Sequence, residues 1–180
     1  MLFRSDVLLE SLALVRVSFE CVILGDGHHK TVCERLCHKL GLQDRVFFKG
    51  YVNGNDLPQY YREASVAVMS SVWPEPFGAV GLEAMRFGLP VVAFDAGGIR
   101  EWLFDGQNGF LVPRMDRFQF ATKIEQLLRD KTLARKMGAY GRESAMQKYN
   151  FERYISGLEA MFTQVVAESQ NRQAPQAQAA

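Results

Sequence analysis

The sequence predicts an α/β protein in which a parallel β-sheet is wrapped by helices. Three observations support that expectation. Short apolar runs alternate with amphipathic segments along most of the chain, the pattern of successive strand–helix units. The run FECVILGDG ends in a glycine turn and leads directly into a helical pattern. The composition is ordinary for this class, with 48% apolar, 23% charged and 12% aromatic residues in 180, ample for a single core.

Taken in order, residues 6–15 (DVLLESLALV) repeat apolar side chains at helical spacing and predict a helix to about Arg16. From Val15 the chain also alternates, through Val17, Phe19, Cys21 and Ile23, so the strand expected at 19–24 has an earlier possible start. A helix is expected over 28–40, then a strand in RVFFKGY. Asp56 is expected to cap a short helix through LPQYYREA, with Pro58 tolerated in its first turn. SVAVMSS and PVVAF read as strands, and DAGG leads into a helix near 98–104. NGFLV is a last short strand, after which Asp116 begins a helix through Leu128. Residues 131–149 and 151–168 read as amphipathic helices broken at NFE. From Ser169 the segment SQNRQAPQAQAA offers no apolar side chains to pack, so a disordered tail is expected over 169–180, behind one domain at 1–168.

The net charge of +1 provides no field for nucleic acid or membrane surfaces. No apolar run approaches the roughly 20 residues that span a bilayer, and the N-terminus lacks a signal-peptide layout, so a cytosolic protein is expected. The three cysteines, Cys21, Cys33 and Cys37, form no disulfide framework. His29, Cys33 and Cys37 stand four apart and would share a helix face, where a metal site could begin. Core packing of that face, with Val32, Leu36 and Leu40, is the stronger reading, and no metal is expected.

The stretch WPEPFGAVGLEAMRFGLP holds two glutamates, Glu75 and Glu83, with seven residues between them. It follows a strand and so occupies the strand-to-helix turn at the carboxyl edge of the sheet, where ligands of open α/β sheets bind. With Pro76 at the first helical position, the amides of Phe77, Gly78, Ala79 and Val80 would stand unpaired at a helix start and form an anion site. Glu83 lies one turn deeper on the same face. A carboxylate repels phosphate but accepts two hydrogen bonds from a vicinal diol, so two carboxylates flanking an anion site suit diol, phosphate and diol in series. A nucleotide sugar has that layout. A glycosidase pair is the competing enzyme reading. Eight residues of helical rise separate the backbones by ~12 Å, whereas retaining glycosidases hold their carboxyl groups about 5 Å apart. From spacing alone a helix-start role for Glu75 and a surface role for Glu83 weigh as much as the site.

The run PEPFG…LEAMRFGLPVVAFDAGGIREWLFDGQNGFLV resembles the donor-binding, C-terminal domain of retaining nucleotide-sugar glycosyltransferases with the GT-B fold, of the group 1 or family 4 type. ILGDG, RVFFKGYV and LPQYYREASVAVMSS match further pieces in the same order, so the resemblance covers Ser5 to about Phe162. It implies a Rossmann-like domain and transfer of a hexose from a UDP- or GDP-linked donor. It also implies that Glu75 binds donor hexose hydroxyls as the candidate catalytic residue, and that Glu83 holds the ribose. Amides of Phe77, Gly78, Ala79 and Val80 would meet the sugar and distal phosphate, and Tyr51 and Val52 would lie near the base. No metal or other cofactor is implied beyond the donor substrate.

The family's opening strand and its GR…K-G segment are unmatched. The family lysine and glycine fall near Phe3 and Arg4, and their roles are not carried over. The first, central strand of a doubly wound sheet is therefore expected to be lacking, which should leave the strands at 19–24 and 66–70 facing a vacancy or forced together. The expected acceptor, a sugar, lipid or other molecule, would bind a missing N-terminal domain, and the chain alone would be inactive or weakly active. A non-catalytic nucleotide-sugar-binding module, or one subunit of a two-chain enzyme, is the alternative. An epimerase of the same architecture fits the paired glutamates less well. In a full-length enzyme a peripheral membrane position is open.

Overall fold

Five short parallel strands and seven helices follow one another in the residues that the computed structural model describes, 4–173. Helix α1 (Ser5–Leu12) leads to β1 (Cys21–Leu24), α2 (Lys30–Lys39), β2 (Val46–Gly50) and α3 (Leu57–Glu63). Then come β3 (Ala67–Met69), α4 (Ala79–Arg86), β4 (Val91–Phe94), a 3-10 turn (Gly97–Glu101) and β5 (Gly109–Val112). Helices α5 (Arg117–Arg129), α6 (Lys131–Lys148) and α7 (Phe151–Gln173) complete the chain. Contacts divide it into two compact units, Met1–Glu143 and Ser144–Ala180, and every strand lies in the first.

The strands form two sheets. β1 pairs with β2, Cys21 opposite Val46, and β4 lies between β3 and β5, with Val91 opposite both Ala67 and Gly109. The expected strands at 19–24 and 66–70 therefore do not join. β1 and β3 each keep an edge with no second strand among the described residues. One apolar cluster takes in residues of both sheets, among them Ile23, Val46, Val92 and Phe110. β4 is buried along its whole length, its Phe94 ring stacks on Phe120 of α5 at 4.4 Å, and Val7, Leu9 and Leu12 of α1 join the same cluster.

Several local expectations are corrected. α1 stops at Leu12, short of Arg16, and residues 15–20 run on without ladder pairing. The alternation survives in burial: Val15, Val17 and Phe19 are buried or half-buried, and Arg16, Ser18 and Glu20 between and after them are exposed. The Arg45 side chain fastens this segment, donating to the Val17 carbonyl at 2.9 Å and lying over the Phe19 ring. On α2 the buried positions are Cys33 and Cys37, while Val32 is exposed. Burial raises both thiols above the ordinary range, and the Cys21 thiol is pushed up to about 12. Asp56 stands at the N-cap of α3 without a side-chain cap bond; the Asn53 side chain takes the amides of Asn55 and Asp56 instead. Asp116 does cap α5, accepting the Gln119 amide at 2.9 Å. The helix expected near 98–104 is the 3-10 turn ending at Glu101.

The sequence drew a domain over 1–168 and a tail from Ser169. The two contact units, Met1–Glu143 and Ser144–Ala180, are a different division, and α7 continues to Gln173. Gln and Arg sustain a helix well, and no breaker occurs before Pro175. Residues 174–180, and the position near Phe3, lie outside the described residues. No helix among the described residues is long and apolar enough to cross a membrane.

Candidate functional site

β3 and β4 are parallel neighbours, so their carboxyl ends lie side by side and so do the loops that leave them. The loop after β3 holds Ser71 to Phe77, and the loop after β4 holds Asp95 to Gly98. Main chain meets main chain between them, the Gly98 amide donating to the Glu75 carbonyl at 2.7 Å. A methyl on Gly97 would overlap the Glu75 backbone and one on Gly98 the Pro76 carbonyl. Gly97 also has a φ of +62, which side chains disfavour. The glycine pair is thus what allows the two loops to touch, and the touch fixes the backbone that bears Glu75.

Behind the turn stands Trp102, 1% exposed. Its indole N–H donates to the Phe77 carbonyl at 2.5 Å, and its ring lies where a methyl on Gly81 would be. Asn108, wholly buried, holds this anchor in turn. Its amide group donates to the Trp102 carbonyl at 2.7 Å and its side-chain oxygen accepts the Phe104 amide at 2.8 Å.

Gly78 turns the chain into α4 with a φ of 73, a left-handed conformation, and the helix begins at Ala79. The expected start at Pro76 is corrected. The Phe77 carbonyl is taken by Trp102, and the Gly81 amide returns to the Gly78 carbonyl at 3.0 Å. The amides of Ala79 and Val80 therefore open α4 with no preceding turn to bond to, and those of Phe77 and Gly78 lie just ahead of the helix.

Glu75 is half-buried, and the buried Ser71 hydroxyl donates to its Oε1 at 2.7 Å. Glu83 is exposed on α4, one turn beyond Ala79 and Val80. The Tyr61 hydroxyl, from α3, donates to Glu83 Oε2 at 3.3 Å. Tyr61 stacks on Phe87 at 5.1 Å, and burial followed by the nearby Glu83 charge pushes its phenol up to about 12. Tyr51 is 82% exposed just past β2, with Val52 partly buried beside it. The structure thus gathers Glu75, Phe77, Gly78, Ala79, Val80 and Glu83 on one turn and its helix. Tyr51 and Val52 lie on the separate β2–α3 connection.

Ser71, Tyr61, Trp102 and Asn108 were not singled out from sequence. Only the GG pair left a signal there, and its cause is a backbone contact that no spacing rule reveals.

A family model described as glycosyl transferases group 1 matches residues 4–144. Among curated relatives, an uncharacterized glycosyltransferase of Methanocaldococcus jannaschii is 34% identical over 139 residues, covering 77% of this chain and 35% of its own length. The Anabaena protein HepE, in a crystal structure with UDP and glucose, superposes with a TM-score of 0.85 at 26% identity, covering 91% of this chain and 45% of that one. The C-terminal domain of a glycosyl transferase group 1 family protein from Francisella tularensis gives 0.75 at 26% identity, covering 83% and 81%. The chain spans little more than a third of the length of the curated relatives it matches.

Proposed function

The chain belongs to the group 1 glycosyl transferases, with the fold of part of a GT-B enzyme, and from that premise we propose that it binds a UDP- or GDP-linked sugar for hexose transfer with retention at the anomeric carbon. The observation that supports this most is the order along one turn: carboxylate, two helix-start amides, carboxylate. Glu75 accepts hexose hydroxyls and stands nearest the reacting carbon, steadied by Ser71. The Ala79 and Val80 amides, with Gly78 admitting close approach, meet the distal phosphate. As the glycosidic bond breaks, negative charge grows on the diphosphate, and preorganised amides at the positive end of α4 stabilise it. Glu83 takes the ribose diol, and Tyr51 and Val52 flank the base. The donor is a substrate, and no residue is assigned to a metal.

Titration calorimetry tests the assignment. Glu83→Ala should weaken UDP or GDP by about 1–3 kcal/mol, the cost of losing charged hydrogen bonds. Glu75→Ala should spare the bare nucleotide and weaken only the nucleotide sugar. Equal effects of both variants on the bare nucleotide would sink these roles.

The acceptor, a sugar, lipid or other molecule, is proposed to bind outside these residues, and transfer by this chain alone to be weak or absent. The chain's small share of its relatives' length supports that reading. The open edges of β1 and β3 favour a second one, a nucleotide-sugar-binding subunit completed by another chain. A cytoplasmic setting, peripheral at the membrane in a longer enzyme, belongs to the same proposal.

A further inference from the structure

Glu83 is exposed, and an exposed glutamate samples many rotamers, so holding a ribose with it carries an entropy cost. One partner on the structure reduces that freedom. The Tyr61 hydroxyl reaches Glu83 Oε2 from α3, twenty-two residues earlier in the chain. Its ring is not free to leave. It is half-buried and stacks on Phe87, the residue capping the far end of α4, with planes 21° apart, while Arg62 lies over the same Phe87 ring. The phenol is thus clamped between α3 and the helix that bears Glu83.

The donor direction is equally fixed. Burial and the neighbouring carboxylate keep the phenol protonated throughout the working pH range, so Tyr61 gives a proton to the contact and Glu83 accepts it. A carboxylate has about four lone-pair sites. One is engaged by Tyr61, and those of Oε1 stay available. At 3.3 Å the bond is longer than the usual O–H···O distance of about 2.7 Å. Such contacts at ligand sites commonly tighten when the ligand arrives.

We infer that Tyr61 is a positioning residue, whose hydroxyl aims the Glu83 carboxylate at the ribose diol and so sets how strongly the chain distinguishes ribonucleotides from nucleotides lacking that diol. The inference rests on the assignment of Glu83 to the ribose. Tyr61 touches no substrate itself. It makes α3 part of the nucleotide site, and the connection from β2 that bears Tyr51 and Val52 runs directly into that helix.

The test measures the full chain's affinity for UDP and GDP, each against its 2′,3′-dideoxy analogue. Tyr61→Phe removes the hydroxyl and keeps the ring on Phe87, and a thermal melt checks that the fold is retained. The wild type should prefer the ribonucleotide. Tyr61→Phe should weaken the ribonucleotide about three- to tenfold, one hydrogen bond's worth, and leave the dideoxy analogue unchanged. In a Glu83→Gln background the same change should have little further effect on the preference. Equal weakening of both ligands, no change in either, or an undiminished effect without the carboxylate would overturn the positioning role. A wild type that binds both ligands of each pair alike, or neither, would overturn the ribose assignment and this inference with it.

Discussion

Gly81→Ala sets two well-measured effects against each other at the centre of the site. Gly81 lies in the first turn of α4, and helix propensity alone favours alanine there by up to about 1 kcal/mol. The new methyl, however, would sit inside the Trp102 ring and 2.8 Å from the Met69 sulfur. Met69 is flexible and can yield. Trp102 cannot, because it is 1% exposed, bonded through its indole to Phe77 and through its carbonyl to Asn108. Overpacking of this kind costs about 1–3 kcal/mol, so the packing effect outweighs the propensity gain. A net loss of roughly 1–2 kcal/mol should lower the melting temperature by about 2–8 °C for a chain of this size. The displaced Trp102 should also shift the Phe77–Ala79 turn and weaken UDP. Gly54→Ala is the internal control. Nothing lies within 4 Å of the added methyl, and φ is not positive. That change should be stabilising by about 0.4–1 kcal/mol through the unfolded chain. Chemical denaturation and calorimetry on both variants decide the matter. If Gly81→Ala were as stable as Gly54→Ala, with UDP affinity intact, the account of Trp102 as the anchor of this turn would be wrong.

Ser71→Ala should leave the fold and UDP affinity nearly unchanged and weaken a nucleotide sugar several-fold, since only Glu75 loses its donor; weakening of UDP to the same degree would refute the separation of roles. The three thiols should alkylate slowly in the native chain at pH 8 and quickly in denaturant, as read by mass spectrometry, because burial keeps them protonated and the thiolate is the reactive form. Their raised values also mean that the stability they contribute is present below the unfolded thiol's pKa, about 8.5, and is lost as pH rises through and beyond it; native labelling as fast as denatured labelling would contradict both statements.

The order of strands and helices was legible because each is encoded locally. Short apolar runs marked every strand, all but β3 beside a glycine turn, and the Asp116 cap is a contact three residues long. The candidate site motif was legible as a unit for the same reason, since Glu75 to Glu83 is one continuous stretch. What escaped depends on tertiary contact. The start of α4 moved from Pro76 to Ala79 because Gly78 adopts a left-handed conformation beneath Trp102, which follows it by more than twenty residues. Tyr61 read as an ordinary helix residue until α3 was set against α4. On α2, periodicity alone allowed two adjacent faces, and the facing core selected Cys33 and Cys37 over Val32.

The two separate sheets make a prediction finer than simple softness. Along a parallel strand, successive amides point alternately to the two neighbours. In β1 the Cys21 and Gly25 amides donate to β2 residues or those flanking it, which directs Ile23 to the same side and Val22 and Leu24 to the open edge. In β3 the Ala67 amide donates toward β4, and Met69 follows it, which leaves Val68 on the open edge. β4 has neighbours on both sides and is buried throughout. Amide hydrogen exchange should therefore alternate along β1 and β3, with Val22, Leu24 and Val68 fast between slow neighbours, and should be slow at every residue of β4. Val22 is 42% exposed, so water has access to this edge of the sheet, where an open amide finds its partner. Exchange at Val22, Leu24 and Val68 as slow as at Val92 in a monomer would mean that both edges are paired, and the division into two sheets would have to be abandoned.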